Sequence, residues 1–281
     1  MYGWLLLKNQ KHKIKLKKIF LFAIPLFIIA SAFKGDGVNY KLITSIETKS
    51  SHFTTDNLQN FYLIEGNKIV QYNNLGIKQK EFSEVNYGRP GLIEASNPLN
   101  ILVLYPNFST VIILDKQLNV LNTIDFRSLG FQEMKTACLN QNNQIWTFDA
   151  KENKLKLFDY GGNLIRSSED VAQVTGKTVT PNFMLCTDKN LYVGDQFNGV
   201  FVFDTYGDYH QLFFIKGTRN FQIINEQLLY IKKHQLKVFS LRSFDEIDFS
   251  LPDSVDIKQA RIEQSRLYLL HKEKMSVYEL Q

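Results

Sequence analysis

The chain has 281 residues, a formal net charge of +5 and two cysteines. A basic excess suits nucleic acid as a partner, but six of the lysines lie before residue 33, where there is no Asp or Glu. The remaining sequence holds 27 basic and 28 acidic residues, so we expect no nucleic-acid partner. The length allows one or two ordinary domains, and a closed repeat protein forms one domain of this size.

The N-terminal 32 residues have the three parts of a targeting segment. A lysine-rich stretch precedes the apolar run from Ile19 to Ala32, which ends in the small triplet Ala30-Ser31-Ala32. Fourteen apolar residues span about 21 Å as a helix, less than a hydrocarbon core of about 30 Å. We therefore predict that residues 1–32 are a cleaved signal peptide. The alternative is an uncleaved membrane anchor.

Either form of this segment predicts export. The rest of the protein would then be periplasmic or associated with the cell envelope, with the membrane contacted only through the N-terminal segment. No Cys follows the small triplet, which disfavours the lipid-anchored route of bacteria.

Past residue 48 a pattern of short apolar strands and turns recurs six times. Each copy has a strand that ends in an aromatic residue or Leu followed by a polar residue, and successive copies are 36 to 45 residues apart. This period is typical of the four-stranded blade of a β-propeller. The six endings are Tyr72-Asn73, Leu114-Asp115, Phe158-Asp159, Phe203-Asp204, Phe239-Ser240 and Tyr278-Glu279.

The number of copies and the position of the last one predict how the ring closes. The chain ends at Gln281, directly after the third strand of the sixth copy, so that copy lacks a fourth strand. The segment from Tyr40 to Glu47 has the alternation of a strand and precedes the first full copy. We predict an all-β fold, a six-bladed propeller over residues 39–281, in which the N-terminal strand 39–48 completes the last blade.

Three segments of the third and fourth copies resemble the repeat of six-bladed propellers of the NHL type. In that family a second strand ends in Asp, a loop holds Asn, and a later strand ends in Phe-Asp before Gly. The resemblance covers about residues 39–281 and suggests an exported bacterial propeller of this type. It implies the fold and a tendency to bind partners, with no catalytic residue. The segments are Asp149–Asp159, Tyr160–Ile165 and Asp195–Asp204.

The sequence contains no recognisable catalytic or metal-binding motif. The five histidines are scattered singly, whereas zinc needs Cys and His at close spacing. Asp115, Asp159 and Asp204 recur at one place in the repeat, where Asp accepts backbone hydrogens of the following turn. We expect no cofactor, no metal and no catalytic residue.

The crossings that lead from one blade into the next supply the candidate binding residues. The first strand of each blade begins beside the central opening, so these side chains would converge on one mouth. Five of the six are or can become cationic, which favours an anionic group or an acidic peptide. The alternative is that they only satisfy loop carbonyls and solvate this face. They are His52, Arg89, Lys135, Asn182, Arg219 and Lys258.

Aromatic residues near the hairpins form a second candidate surface, because exposed aromatics can anchor a protein partner. Most aromatics of a propeller belong to the core between blades, so burial is the competing expectation. The residues concerned are Phe108, Tyr206, Tyr209, Phe213, Phe214 and Phe244.

Cys138 and Cys186 occupy similar places in consecutive copies. We expect two buried free thiols. A bridge would require the two Cα atoms to lie within about 7 Å, which sequence cannot establish.

These observations predict a non-enzymatic binding scaffold of the cell envelope that holds a protein or peptide partner, with an acidic one favoured. Two alternatives remain. One is a propeller hydrolase or lyase with a metal at the central opening, and the other is a sensor for a small anion or a sugar.

Overall fold

A computed structural model describes residues 39–281, which form 24 β-strands in six antiparallel sheets of four strands each. The sheets are the blades of a propeller, and the predicted fold class is confirmed. The predicted signal or anchor segment, residues 1–32, lies outside the described residues.

The first three blades each use four consecutive strands. Blade 1 contains β2 (Phe53–Thr55), β3 (Phe61–Glu65), β4 (Lys68–Tyr72) and β5 (Lys78–Ser83). Blade 2 contains β6 (Leu92–Glu94), β7 (Ile101–Tyr105), β8 (Thr110–Leu114) and β9 (Val120–Asp125). Blade 3 contains β10 (Ala137–Leu139), β11 (Ile145–Asp149), β12 (Lys154–Phe158) and β13 (Leu164–Ser167).

Blades 4 and 5 also use four consecutive strands, whereas blade 6 combines three strands from the end of the described chain with β1 from its beginning. Blade 4 contains β14 (Phe183–Cys186), β15 (Asn190–Asp195), β16 (Gly199–Asp204) and β17 (Tyr209–Phe213). Blade 5 contains β18 (Phe221–Ile224), β19 (Gln227–Lys232), β20 (Gln235–Ser240) and β21 (Glu246–Phe249). Blade 6 contains β22 (Gln259–Glu263), β23 (Arg266–Leu270), β24 (Lys274–Leu280) and β1 (Tyr40–Glu47).

Helical structure is confined to short turns between strands. The five-residue helix α1 (Val171–Thr175) links blades 3 and 4, and the Asp170 side chain caps it by accepting from two backbone N–H groups. Two 3-10 turns cover Val85–Tyr87 and Pro106–Phe108. Over residues 39–281, no helix is long and apolar enough to cross a membrane.

The ring closes where β1 pairs antiparallel with β24. The register runs from Tyr40 opposite Leu280 to Glu47 opposite Lys274, with an irregularity between Leu42 and Thr44. Backbone bonds extend the pairing at both ends, and one of them joins Thr48 N to the carbonyl of Glu273 at 3.0 Å. The predicted closure by strand 39–48 is therefore confirmed.

The alternation of strand direction gives the ring two distinct faces. Each inner strand starts at the end where the crossing from the previous blade arrives, and this end also carries the hairpin between the second and third strands. We call it the crossing face. The hairpins between first and second strands, and between third and fourth strands, lie on the opposite face.

Apolar side chains fill the space between neighbouring blades. Between blades 3 and 4, Trp146 and Phe148 pack with Phe201 and Phe203. The third strands β8 and β16 are buried along nearly their whole length, as expected for a blade covered on both sides. Outer strands such as β13 are exposed. The core therefore consists of layers between blades, and it holds each blade in a fixed position.

The recurrent aspartates act in turns, as predicted. Asp115 accepts hydrogen bonds from the backbone N–H groups of Gln117 and Asn119 at 2.7 and 2.8 Å. Asp159 and Asp204 make the same type of contact in their own hairpins. Hydrogen bonds from the backbone and the side chain of Asn119, and from the backbone of Gln117, hold the pKa of the Asp115 carboxyl below its usual value. These carboxylates lie on the opposite face and already have partners.

We predict that trimming the buried side of the closing strand destabilises the ring. Ile46 lies opposite Met275 and packs against the core between blades 6 and 1. Ile46→Ala should lower the free energy of unfolding by about 2 kcal/mol, because it removes partly buried carbon atoms that pack at the closure. The measurement is urea unfolding at equilibrium.

Leu42 on the same strand provides the matched control, because its side chain is 54% exposed. Leu42→Ala should change the free energy of unfolding by less than about 0.5 kcal/mol. Equal losses in the two variants would contradict a closure that is stabilised by packing.

Candidate binding site

Four of the six crossing residues expose charged side chains on the crossing face. Lys135 lies 3.4 Å from the carboxylate of Glu133, and Arg219 is exposed at the start of blade 5. The other two also hold neighbouring crossings together. Arg89 Nη2 donates to Ser51 Oγ at 2.9 Å, and Lys258 Nζ lies 3.3 Å from the carbonyl of Ser50.

His52 and Asn182, the remaining crossing residues, do not add charge to the mouth. Burial, followed by the nearby positive charge of Arg261, lowers the pKa of His52 to about 4, so its imidazole is neutral at physiological pH. The Asn182 amide donates to the carbonyls of Arg219 and Thr218 at 2.7 and 3.3 Å. His52 therefore adds no positive charge to the mouth at neutral pH, and Asn182 links two crossings.

The inner strands lie at sheet edges, and side chains satisfy part of their backbone. The amide of Gln259 donates to Phe53 O at 2.8 Å and accepts from Phe53 N at 3.2 Å. Gln222 makes the same pair of bonds with Ile262 in the next blade. An unpaired buried N–H or C=O group costs free energy, so these two glutamines stabilise the walls of the channel.

Polar and charged side chains of three blades meet in the central channel. Arg261 Nε donates to Thr55 Oγ1 at 3.0 Å, and Thr55 in turn bonds to the carboxylate of Glu263. Burial is the main cause that raises the pKa values of Glu94 and Glu263, and the positive charge of Arg261 opposes it in both. The channel is thus lined by partnered charges of both signs.

A pocket of about 490 Å³ opens on the crossing face between blades 3 and 4. Its walls include Phe148, Val179 and Pro181, and Lys135 lies at its edge. The hydroxyl of Thr136 also lines this pocket and has no hydrogen-bond partner although it is buried. Apolar walls with a few polar groups are typical of a site for a small ligand or an inserted side chain.

A larger and more polar cleft of about 1010 Å³ lies at blade 6, between the end of the closing strand, the crossing that precedes β22 and the turn between β23 and β24. His271 lines it, with Nδ1 2.8 Å from the carbonyl of Val255 and Nε2 unpaired. A hydrogen bond from Lys274 Nζ at 2.8 Å is the main cause that lowers the pKa of the Asp253 carboxyl. Acidic and basic groups alternate here, so the cleft presents no single sign of charge.

The aromatic residues near the hairpins divide into exposed and buried ones. Phe214 on the crossing face is 73% exposed, whereas Phe213 beside it is buried. Phe197 was not among the sequence candidates, yet it is 67% exposed in a hairpin of the same face. The backbone bond from Gly217 N to Gln196 O, at 2.8 Å, joins the segments that carry the two exposed rings.

The remaining aromatic candidates are spread over both faces. Phe108 is exposed on the crossing face, and Tyr209 is half-buried on an outer strand. Tyr206 and Phe244 are exposed on the opposite face. Phe108 already lies under Arg127, 5.7 Å from the ring centroid to the guanidinium carbon, whereas Phe197 and Phe214 are the most exposed of these rings on the crossing face.

Sequence analysis missed the charged residues of the channel. Glu94, Arg261 and Glu263 stand within otherwise apolar or uncharged first strands, and a charge in such a segment is the signal that could have identified them. Within residues 39–281, no group of three or more His, Cys, Asp or Glu side chains is arranged to hold a metal ion.

Comparison with known proteins shows the fold alone. No family model matches the chain, and no curated protein matches it by sequence. Among solved structures, it is similar to the WD40 domain of Pan2 from Neurospora crassa, with a TM-score of 0.64 and 9% identity, covering 87% of this chain and 96% of that one.

Two further solved structures have the same fold. Virginiamycin B lyase from Staphylococcus aureus has a TM-score of 0.63 and 12% identity, covering 86% of this chain and all of that one. Raptor from Chaetomium thermophilum has a TM-score of 0.65 and 10% identity, covering 90% of this chain and 30% of that one. One of these neighbours is thus a lyase and another a WD40 domain, so the shared fold does not determine function.

We predict that His52 makes stability depend on pH. Its pKa of about 4 lies below the ordinary value of 6.5, so the unfolded chain binds more protons between these two pH values. The stability that neutral His52 contributes is fully present above pH 6.5. It is lost as the pH falls through about 4, which lowers the free energy of unfolding by up to about 3 kcal/mol. The measurement is the free energy of unfolding as a function of pH.

His52→Gln is the comparison protein, because Glu94 and Glu263 titrate in both proteins and largely cancel in the difference. The free energy of unfolding of the wild type minus that of the variant should decrease as the pH falls from 6.5 to 4, because only the wild type loses the contribution of His52. A difference that stays constant over this range would show that His52 titrates normally.

Proposed function

We propose that this chain is a non-enzymatic binding scaffold of the cell envelope, an NHL-like propeller that holds a protein or peptide partner on its crossing face. The exposed aromatic pair Phe197 and Phe214 is the observation that carries this proposal. Two large apolar rings in water on adjoining segments cost solvation free energy, and such residues are enriched at the centres of protein interfaces.

The charges near this pair favour an acidic partner. Arg219 lies on the crossing that follows Phe214, and Lys216 is exposed between them. Arg89 is a further exposed cation on the same face, in the crossing into blade 2. Complementary charge raises the rate of association and is screened by salt, so binding should weaken as the salt concentration rises.

The rest of the ring suits a scaffold. The layers between blades and the closing strand fix the positions of the crossings, while the crossings differ from one blade to the next in length and sequence. A rigid frame with variable loops is a common arrangement for binding sites. Placement in the envelope rests on the lysine-rich and apolar pattern of residues 1–32.

We predict that the exposed aromatic pair is needed for partner capture. The immobilised full-length chain should capture a partner from envelope extracts of the cells that produce it, because the rings offer an apolar anchor. The double variant Phe197→Ser with Phe214→Ser should lose at least about tenfold in captured partner, which corresponds to roughly 1.4 kcal/mol. Quantitative mass spectrometry of the captured proteins measures this.

A matched control changes two exposed residues of the opposite face, Leu75→Ser with Tyr206→Ser. It should capture the same partner as wild type. Equal capture by the crossing-face variant would exclude this face as the binding surface, and capture of no partner by wild type would contradict the scaffold itself.

We also predict that cations of the crossing face contribute through charge. Arg89→Ala with Arg219→Ala should weaken capture at low salt and have a smaller effect at high salt, because ions screen exposed charges. Lys116→Ala with Lys189→Ala removes two exposed cations from the opposite face and is the control. The same salt response in both double variants would show that the position of these charges does not matter.

A further inference from the structure

Cys138 and Cys186 bring their sulfur atoms together between two blades. Cys138 belongs to β10, the inner strand of blade 3, and Cys186 ends β14, the inner strand of blade 4. Their Sγ atoms are 2.7 Å apart, and both cysteines are free thiols in the structure. Adjacent inner strands thus bring the two sulfur atoms close together, which the sequence could not establish.

The surroundings of the two thiols differ. Cys138 is 1% exposed and lies in the layer that contains Trp146 and Phe201, whereas Cys186 is only partly buried against that layer. Burial, with smaller contributions from Cys186 and Glu94, raises the pKa of the Cys138 thiol. Cys186 is therefore the thiol that reagents in solution reach first.

We propose that Cys138 and Cys186 form a site of reversible oxidation that closes to a disulfide between blades 3 and 4 by exchange with a disulfide donor. The bond length of a disulfide is about 2.04 Å, so closure from 2.7 Å needs only a small movement of the side chains. The donor is any molecule that presents an exchangeable disulfide, whether a small-molecule disulfide or a thiol–disulfide oxidoreductase.

The exchange balances in two steps. The Cys186 thiol loses its proton, and its thiolate attacks one sulfur of the donor, which breaks the donor S–S bond and releases one donor thiolate. Cys138 then loses its proton and attacks Cys186 Sγ, which releases the second donor thiolate. Two electrons pass to the donor, and the two released thiolates take up the two protons.

The disulfide would reinforce a particular seam of the ring. The layer that holds Cys138 also contains Phe148 and Val179, two walls of the pocket between blades 3 and 4. A bond between residues 48 positions apart restricts the unfolded chain and so favours the folded one. Oxidation is therefore coupled to the stability of the layer between blades 3 and 4.

The first test is oxidation of the full-length chain with oxidised glutathione, followed by alkylation in denaturant and peptide mass spectrometry. The expected product is an intramolecular peptide pair joined through Cys138 and Cys186, with neither cysteine alkylated. Reduction of the oxidised protein before alkylation should restore alkylation of both Cys138 and Cys186. Alkylation of both cysteines after oxidation, or a bridge only between separate chains, would overturn the proposal.

Single variants identify the order of attack. Cys138→Ser should accumulate a mixed disulfide with glutathione at Cys186, because no second thiol resolves it. Cys186→Ser should accumulate much less at Cys138, which is buried. Equal and rapid modification of the two variants would contradict the assigned order.

Thermal unfolding provides a readout that does not depend on trapping. The oxidised wild type should melt at a higher temperature than the reduced wild type, while oxidation should not raise the melting temperature of either single variant. An oxidant-dependent rise in the melting temperature of a single variant would show that the shift has another origin.

Discussion

The pairing of β1 with β24 is the constraint on which the rest of the structure depends. Five blades are made of consecutive strands, and only blade 6 takes its outer strand from the other end of the described chain. Without that strand, β24 would present an unpaired edge and one flank of the blade stack would lose its cover. Closure thus turns a row of sheets into a ring in which every interblade layer is fixed.

Within this ring, the inner strands show how uniform and variable features are combined. The amide side chains of Gln222 and Gln259 each make a pair of hydrogen bonds to backbone groups at the channel. Among the described residues, such pairs occur only between blades 5 and 6 and between blades 6 and 1. Elsewhere the walls use other side chains, such as Glu94, which accepts from Leu139 N at 3.4 Å. All six blades share the four-stranded sheet, whereas the polar side chains that line the channel differ from blade to blade.

Much of the fold could be predicted from the sequence because it depends on local signals. The endings at Tyr72, Phe158 and Phe203 mark third strands in the structure, and the alternation from Tyr40 to Glu47 marks the closing strand. These features follow from the period of the repeat and from its turn residues, which are visible without any long-range information.

The candidate site was less predictable because it depends on contacts distant in sequence. Nothing near His52 in the sequence shows that Arg261 approaches it and that both are partly buried in the channel. In the same way, the exposure of Phe197 and the meeting of Cys138 with Cys186 follow from how neighbouring blades pack. Repeat arithmetic gives the order of the blades, but it does not give the distances between side chains of different blades.

Hydrogen–deuterium exchange of the closing strand is the most direct test of ring closure. If β1 is the outer strand of blade 6, the amides of residues 40–47 that bond to β24 should exchange as slowly as those of β24 itself. Exchange of residues 40–47 as fast as that of the exposed crossing between β21 and β22 would contradict a ring closed by its N-terminal strand.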